Sequence, residues 1–311
     1  MNWNETQQKL LRLAVLRNGH PVEAGAPAAS EGNATPVHHG PGARASSLCI
    51  ASGKGGTGKS VVSASLGALF SELGRTLIVD ADLGVGNAHI LQDVSPKASL
   101  VDVVEGKHTV RGVLVPCADG LDLVAAGSGV PRMAELTGYE LVLIASGIQE
   151  IEGEYRYLLV DSAAGVSRQT LAFAQACDLV CIVTTGDLTA MTDAYAMLKL
   201  LSRCADSKAS FLVVNRSRSE AEAEDVYQRI ARVSARFLGS VPVLGGWLPE
   251  DPSVPSCVNR RGSVHHLEPG SPFACALAEV GAVLLLELAR RRPAGMGRRL
   301  SGSAELAARL A

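Results

Sequence analysis

The sequence predicts an α/β fold, a mainly parallel twisted sheet with helices on both faces, and three observations support it. Six short apolar runs recur, at residues 48–51, 76–79, 121–124, 157–160, 179–183 and 211–214. They lack polar alternation, as strands buried on both faces do. Helical patterns or linking loops separate them, and alternating strand and helix build right-handed βαβ units. The segments at their carboxyl ends read SGKGG, DADLG, DSAAG, TTGD and NRSRS. Ligands of open parallel sheets bind at those ends, which is where the polar residues gather.

Composition sets the outer limits. The 311 residues carry a formal net charge of −2, with 47% hydrophobic residues, 19% charged residues and 32 glycines. This is a globular composition, rich in tight turns and long enough for a large core. Near-neutral charge argues against a surface that binds nucleic acid or membrane all over. The seven cysteines show no tight metal-ligand spacing. Cys257 and Cys275 lack a C-x-x-C pair, which disfavours an iron–sulfur carrier. The opening MNWNETQQKLLRLAVLRNG has no basic flank before a long apolar stretch. No run is expected to reach the roughly 18 apolar residues of a membrane span. A reducing cytoplasm with free thiols is the expected setting.

Four regions follow along the chain. In residues 1–18, Leu10, Leu11, Leu13, Ala14 and Leu16 recur at helical spacing, predicting a short amphipathic helix. Residues 19–46 are rich in Gly, Pro, Ala, Ser and Asn without periodicity, and read as a flexible linker holding His38 and His39. Residues 47–290 form the α/β domain. Its first helix presents Val62, Leu66, Leu69 and Leu73 on one face, and Gly74 is placed to end it. Residues 291–311 form a basic tail. From Arg290 onward the chain holds six arginines and one glutamate, and Pro293, Gly295 and Gly297 interrupt it. A solvated tail is expected there, with only Leu300 onward able to form a weak last helix.

The first strand leads into Gly53-Lys54-Gly55-Gly56-Thr57-Gly58-Lys59-Ser60, which fits G-x-x-x-x-G-K-[ST]. A strand before it and a helix after it complete the context of a phosphate loop, so the domain is predicted to be a P-loop NTPase. Glycines let the backbone N–H groups face the phosphates, and the helix that opens at Ser60 and Val61 adds positive potential. Lys59 is expected on the β- and γ-phosphates, and the Ser60 hydroxyl on Mg²⁺. Magnesium takes oxygen ligands and keeps part of its water, and Asp80 and Asp161 stand at strand ends as further ligands. Asp82, two residues further into the loop, is expected to orient the attacking water. The fourth residue of Asn215-Arg216-Ser217-Arg218 is not the aspartate that selects guanine in N-K-x-D. Adenine is therefore favoured, with Asn215 on the purine edge.

The run Lys54 to Ser60 resembles K-G-G-x-G-K-[ST], the mark of the MinD/ParA-type deviant Walker A ATPases. DADLGVGNAHILQ is similar to that family's switch I and DSAAGVS to its switch II. DSAAGVSRQTLAFAQACD, TAMTDAYAMLKLL and VVNRSRSEAEAEDVYQRI resemble its flagellar-number branch, the FlhG/FleN regulators. The resemblance runs over residues 48–288. It implies ATP and Mg²⁺ as ligands and slow, partner-stimulated hydrolysis. It also implies a homodimer in the ATP-bound state, with Lys54 reaching into the other subunit's site. Asp82 takes the water-positioning role, and Asn215 with Pro249, Glu250 and Asp251 the adenine pocket. Partners implied are a flagellar GTPase or a basal-body or secretion protein, with docking at the inner face of the membrane.

There are departures. TQQKLLR at residues 6–12 replaces two positions of the branch's D-Q-A-x-x-L-R, and TTGDLT at 184–189 replaces its TPEPT. LSGSAELAARLA lacks the bulk of a membrane-docking helix. Two alternatives stay open. One is a partitioning ATPase that binds non-specific DNA through Arg216, Arg218, Arg229, Arg232 and Arg236. The other is an ATP-holding assembly scaffold without turnover.

Overall fold

A computed structural model describes residues 44–127, 136–204, 209–259, 267–268 and 270–309. The N-terminal amphipathic segment, nearly all of the linker, and Arg260, Arg261, His265 and His266 lie outside the described residues. The strands are β1 (Ser46–Ser52), β2 (Thr76–Ala81), β3 (Leu114–Ala118), β4 (Leu121–Val124), β5 (Tyr157–Ala164), β6 (Leu179–Thr184), β7 (Ser210–Ser217) and β8 (Val243–Pro249). They form one sheet in the order β3-β4-β2-β5-β1-β6-β7-β8. Every neighbouring pair is parallel except the antiparallel β3–β4.

The six apolar runs are the six inner strands. The two outer strands, β3 and β8, went unpredicted. Pro116 and partial exposure mark β3, and Gly245-Gly246 makes β8 read as a turn. An edge strand has one open side and needs neither a continuous apolar run nor every backbone donor.

Ten α-helices lie among the described residues. They are α1 (Lys59–Ser71), α2 (Ala88–Leu91), α3 (Leu100–Val104), α4 (Gly138–Ile151), α5 (Arg168–Ala176), α6 (Leu188–Ser202), α7 (Glu220–Leu238), α8 (Ser253–Asn259), α9 (Pro272–Ala289) and α10 (Met296–Arg309). Side chains alternate along the inner strands and feed two separate cores. Leu48 and Ile50 join Val62, Leu66, Leu277 and Leu284 from α1 and α9. Cys49 and Ala51 join Ile144, Phe173, Met197 and Val226 from α4 to α7. Helix starts are written locally. Thr137 accepts the Glu140 N–H while the Glu140 carboxylate accepts the Thr137 N–H, a reciprocal cap that sets where α4 begins.

Two segments near the end of the chain bear on what the sequence predicts. Helix α9 has 18 residues with a mean hydropathy of 1.8, long and apolar enough to cross a membrane by those measures. Its Phe273, Leu277, Leu284 and Leu288 are instead buried against the sheet and α1. The second concerns the basic tail, which is part of the domain. Helix α10 starts at Met296, and Met296, Leu300 and Ala304 pack into the core beside α4 and α5.

Charge explains why arginines turn inward there. The buried Asp178 carboxylate accepts the Ser47 N–H (3.0 Å), the Ser47 hydroxyl (2.8 Å), the Ala294 N–H (3.1 Å) and Arg299 (3.2 Å). Arg291 donates to the Asp178 carbonyl at 3.1 Å, and Arg44 to the Ala294 carbonyl at 2.6 Å. A buried carboxylate needs such partners, and the tail supplies them.

Candidate nucleotide site

The phosphate loop joins the end of β1 to α1, at the carboxyl end of the sheet's centre. Gly56 and Gly58 have φ of 80° and 85°, a left-handed backbone that glycine adopts without strain. A Cβ on Gly58 would meet Asn215 Nδ2 at 2.3 Å, and one on Gly53 would meet the Asp193 carbonyl oxygen at 2.1 Å. The loop is therefore pinned at both ends by neighbours that glycine alone admits. Between them Gly55 and Gly56 face open space.

Lys59 is buried, and its Nζ lies 2.6 Å from Asp161 Oδ1 and 3.3 Å from Ser60 Oγ. Val61, half-buried, anchors the first turn of α1 against the core. Asp80 and Asp161 are register partners on β2 and β5, so the two carboxylates project side by side. Burial and the adjacent Asp161 push the Asp80 carboxyl up to about 7. Burial likewise raises Asp161, while Lys59 pulls it back down. Two acids so placed call for a cation.

Asp80 also orders the loop beyond β2. Its Oδ1 accepts the Asp82 N–H at 3.1 Å and its Oδ2 accepts the Ala88 N–H at 3.1 Å. A Cβ on Gly86 would reach 2.7 Å from Asp80 Oδ2, which is why the loop needs glycine there. Asp82 is half-buried, with Oδ1 3.4 Å from the Val85 N–H.

The residues expected to read the base are tied to neighbouring backbone. Asn215 Nδ2 donates to the Thr57 carbonyl at 2.8 Å, and its Oδ1 accepts the Arg216 N–H at 2.9 Å. Its first task is to hold the phosphate loop, leaving one amide hydrogen for a purine edge. Pro249 pairs with Ser217, and the Glu250 N–H donates to the Ser217 carbonyl at 3.1 Å, bringing β8 to the same end of the sheet. The Asp251 carboxylate is taken up by the Ser253 N–H at 2.8 Å and the Phe273 N–H at 3.1 Å. Asp251 therefore fixes the starts of α8 and α9, with each carboxylate oxygen accepting a backbone N–H.

Three features were not legible. Lys54 Nζ donates to Thr189 Oγ1 at 2.7 Å, across 135 residues of sequence. The Arg216 guanidinium donates to the Gly56 carbonyl, with Arg216 itself at a φ of 56°. The Thr57 hydroxyl is buried without a partner among the described residues. Only the changed TTGDLT segment, which contains Thr189, gave any hint.

The donor set suits a nucleotide with magnesium. Thr57 leaves a buried hydroxyl unmet inside the loop, and Gly55 and Gly56 leave room above it. One hydroxyl and two carboxylates, Ser60, Asp80 and Asp161, match an ion that takes six oxygen ligands and keeps several of them as water. No group of three His, Cys, Asp or Glu that could hold a metal occurs among the described residues.

Comparison with known proteins agrees. The chain matches the CobQ/CobB/MinD/ParA nucleotide binding domain over residues 48–264. It is 32% identical over 234 residues to the antiactivator FleN of Pseudomonas aeruginosa, covering 75% of this chain and 84% of FleN. It is 28% identical over 243 residues to the flagellum site-determining protein YlxH of Helicobacter pylori, covering 78% and 82%. Its fold resembles the septum site-determining protein MinD of Pyrococcus horikoshii, solved with Mg-ADP, at a TM-score of 0.61. That match has 24% identity and covers 76% of this chain and 93% of that one. Phosphate loop, paired aspartates and sheet order thus coincide with the family match, and the chain belongs to the CobQ/CobB/MinD/ParA nucleotide-binding family.

Proposed function

We propose that the chain is a slow, partner-stimulated ATPase that pairs into a homodimer when ATP is bound and acts as a switch in the placement or number of flagella. The observation that carries this reading is the division of labour between the loop's two lysines. Lys59 is buried on Asp161 of its own subunit, whereas Lys54 is exposed at the mouth of the site. A second cation at the mouth suits a second nucleotide, much as an arginine finger enters from outside. Val85, 66% exposed, Val166, 40%, and Leu188, 75%, lie on the segments that follow β2, β5 and β6, the strands whose carboxyl ends carry the site. Exposed apolar residues on such segments suit a protein contact.

Lys59 and the loop N–H groups would hold the phosphates, Asn215 the base, and Asp82 the attacking water. Ser60, Asp80 and Asp161 would hold Mg²⁺, which supplies neutralisation of phosphate charge when bound. The flagellar role rests on the likeness to FleN and YlxH. The surface favours a protein partner over DNA. Arg229 pairs with Asp225, Arg218 pairs with Glu222, and Arg216 is turned onto the phosphate loop. Membrane docking through the tail is disfavoured because α10 is part of the core.

Asp82→Ala tests the enzymatic half. It should bind ATP as the unaltered chain does while single-turnover hydrolysis falls by about a hundredfold or more, in line with losing a positioned general acid–base group. Unchanged hydrolysis would remove Asp82 from its role. Counting flagella in cells with and without the intact gene tests the cellular half, and equal counts would end the flagellar reading.

A further inference from the structure

We propose that Arg216 is a positioning residue for the bound nucleotide, holding the Gly56–Thr57 peptide so that the Thr57 N–H is aimed at the phosphates. This rests on the reading of residues 53–60 as a phosphate cradle.

The end of β7 grips the loop twice. Asn215 Nδ2 donates to the Thr57 carbonyl at 2.8 Å, and the Arg216 guanidinium donates to the carbonyl before it, that of Gly56. A trans peptide is planar, so a carbonyl and the N–H of the next residue point in opposite directions. Drawing the Gly56 and Thr57 carbonyls toward β7 therefore turns the Thr57 and Gly58 N–H groups away from it. Neither N–H has a hydrogen-bond partner among the described residues. Successive backbone donors turned the same way are what an anion takes up.

Strand β7 is distorted to make this grip. Its register with β8 pairs Val214 with Trp247 and Ser217 with Pro249, so Asn215 and Arg216 together face the single residue Leu248. That is a β-bulge, a device that re-aims side chains beside functional sites. Arg216 carries the distortion, with a φ of 56°. The left-handed region is costly for a residue with a Cβ and open to glycine. The Arg216 N–H is held there by Asn215 Oδ1 at 2.9 Å, so one asparagine fixes both the loop and the turn. Strain of this kind persists where the surrounding structure enforces it, and it gathers at ligand sites.

The guanidinium also brings charge. No carboxylate pairs with Arg216 among the described residues, whereas Arg218 is held by Glu222 at 2.9 Å. A hydrogen bond from a charged group changes an equilibrium by about tenfold or more. Losing it should weaken ATP and ADP alike, because the N–H groups of such a loop cradle the α- and β-phosphates that both carry.

Calorimetric affinities for Mg-ATP and Mg-ADP, with the melting temperature of the nucleotide-free chain, test this. Arg216→Met keeps the stem and removes the guanidinium. Arg216→Gly removes the side chain together with the backbone strain. Arg218→Met removes a nearby cation that does not touch the loop. Both Arg216 variants should bind both nucleotides about tenfold more weakly, and Arg218→Met should bind as the unaltered chain does. Arg216→Gly should nevertheless melt no lower than the unaltered chain, since glycine takes this φ without strain. A residue that only supports the fold would lose affinity and stability together. In nucleotide-free chain labelled with nitrogen-15, the Thr57 amide resonance should move in Arg216→Met and stay in place in Arg218→Met. Either Arg216 variant binding as the unaltered chain does, an unmoved Thr57 resonance, or a lower melting temperature in Arg216→Gly would overturn the proposal. An equal loss of affinity in Arg218→Met would also overturn it, by assigning the effect to charge alone. If the unaltered chain binds neither nucleotide, the reading of residues 53–60 fails first, and the role of Arg216 falls with it.

Discussion

Replacing Leu300 by alanine asks whether the arginine-rich end of the chain is part of the domain. Leu300 is fully buried, packed with Met296 and Ala304 into the core beside α4 and α5. The change removes three carbons, a transfer loss of about 2–2.5 kcal/mol at about 0.8 kcal/mol each. Neighbours on two helices and the Asp178 network hold the walls apart, so the space should collapse only in part. The residual cavity brings the expected total to about 3–4 kcal/mol, within the range for buried leucines. At about 2–3 °C per kcal/mol for a domain of this size, the melting temperature should fall by about 6–12 °C. Urea unfolding followed by circular dichroism gives the free energy, and thermal melting gives the temperature. Arg298→Ala, on the exposed side of the same helix, is the control and should change stability by less than about 0.5 kcal/mol. A Leu300→Ala loss as small as the control's would show that α10 is not packed as described.

Two further outcomes follow from the site. Gly53→Ala should weaken ATP and ADP binding by about tenfold or more in calorimetry, since its Cβ meets a backbone oxygen that cannot swing aside. Unchanged affinity would show that the loop front is not seated on α6. Lys59→Ala should abolish nucleotide binding and cost about 3–5 kcal/mol of stability, because it strands the buried Asp161 without its cation. Adding Asp161→Asn should recover part of that stability without recovering binding, and full recovery of both would contradict the roles assigned to the pair.

Most of the centre was legible because it is local. An apolar run followed by a glycine-rich loop and a helix announces β1, the phosphate loop and α1 together, and Asp80 and Asp161 announce themselves at strand ends. What escaped depends on residues far apart in sequence. The 2.7 Å contact between Lys54 and Thr189 exists only because β1 and β6 are neighbours. Asn215 and Asp251 were recognised as residues of the right end of the sheet. Their polar atoms also bond the Thr57 carbonyl and two helix starts, a matter of backbone position that the sequence does not express. The tail was misread because six arginines in 22 residues suggest solvent. Asp178, more than a hundred residues upstream, supplies the buried negative charge that turns Arg299 inward. Edge strands β3 and β8 went unseen because a strand with one open side carries a weak apolar signal.

The central claim is that ATP joins two copies through Lys54. The direct measurement is molar mass by light scattering with Mg-ATP and with ADP, for the unaltered chain, Lys54→Ala and Asp82→Ala. With ADP all three should show the 32.3 kDa of one chain. With Mg-ATP the unaltered chain should shift toward twice that mass, Asp82→Ala should stay there as the ATP is kept, and Lys54→Ala should remain a monomer while still binding ATP. One mass in both nucleotides for the unaltered chain and for Asp82→Ala, or a full dimer in Lys54→Ala, would contradict it.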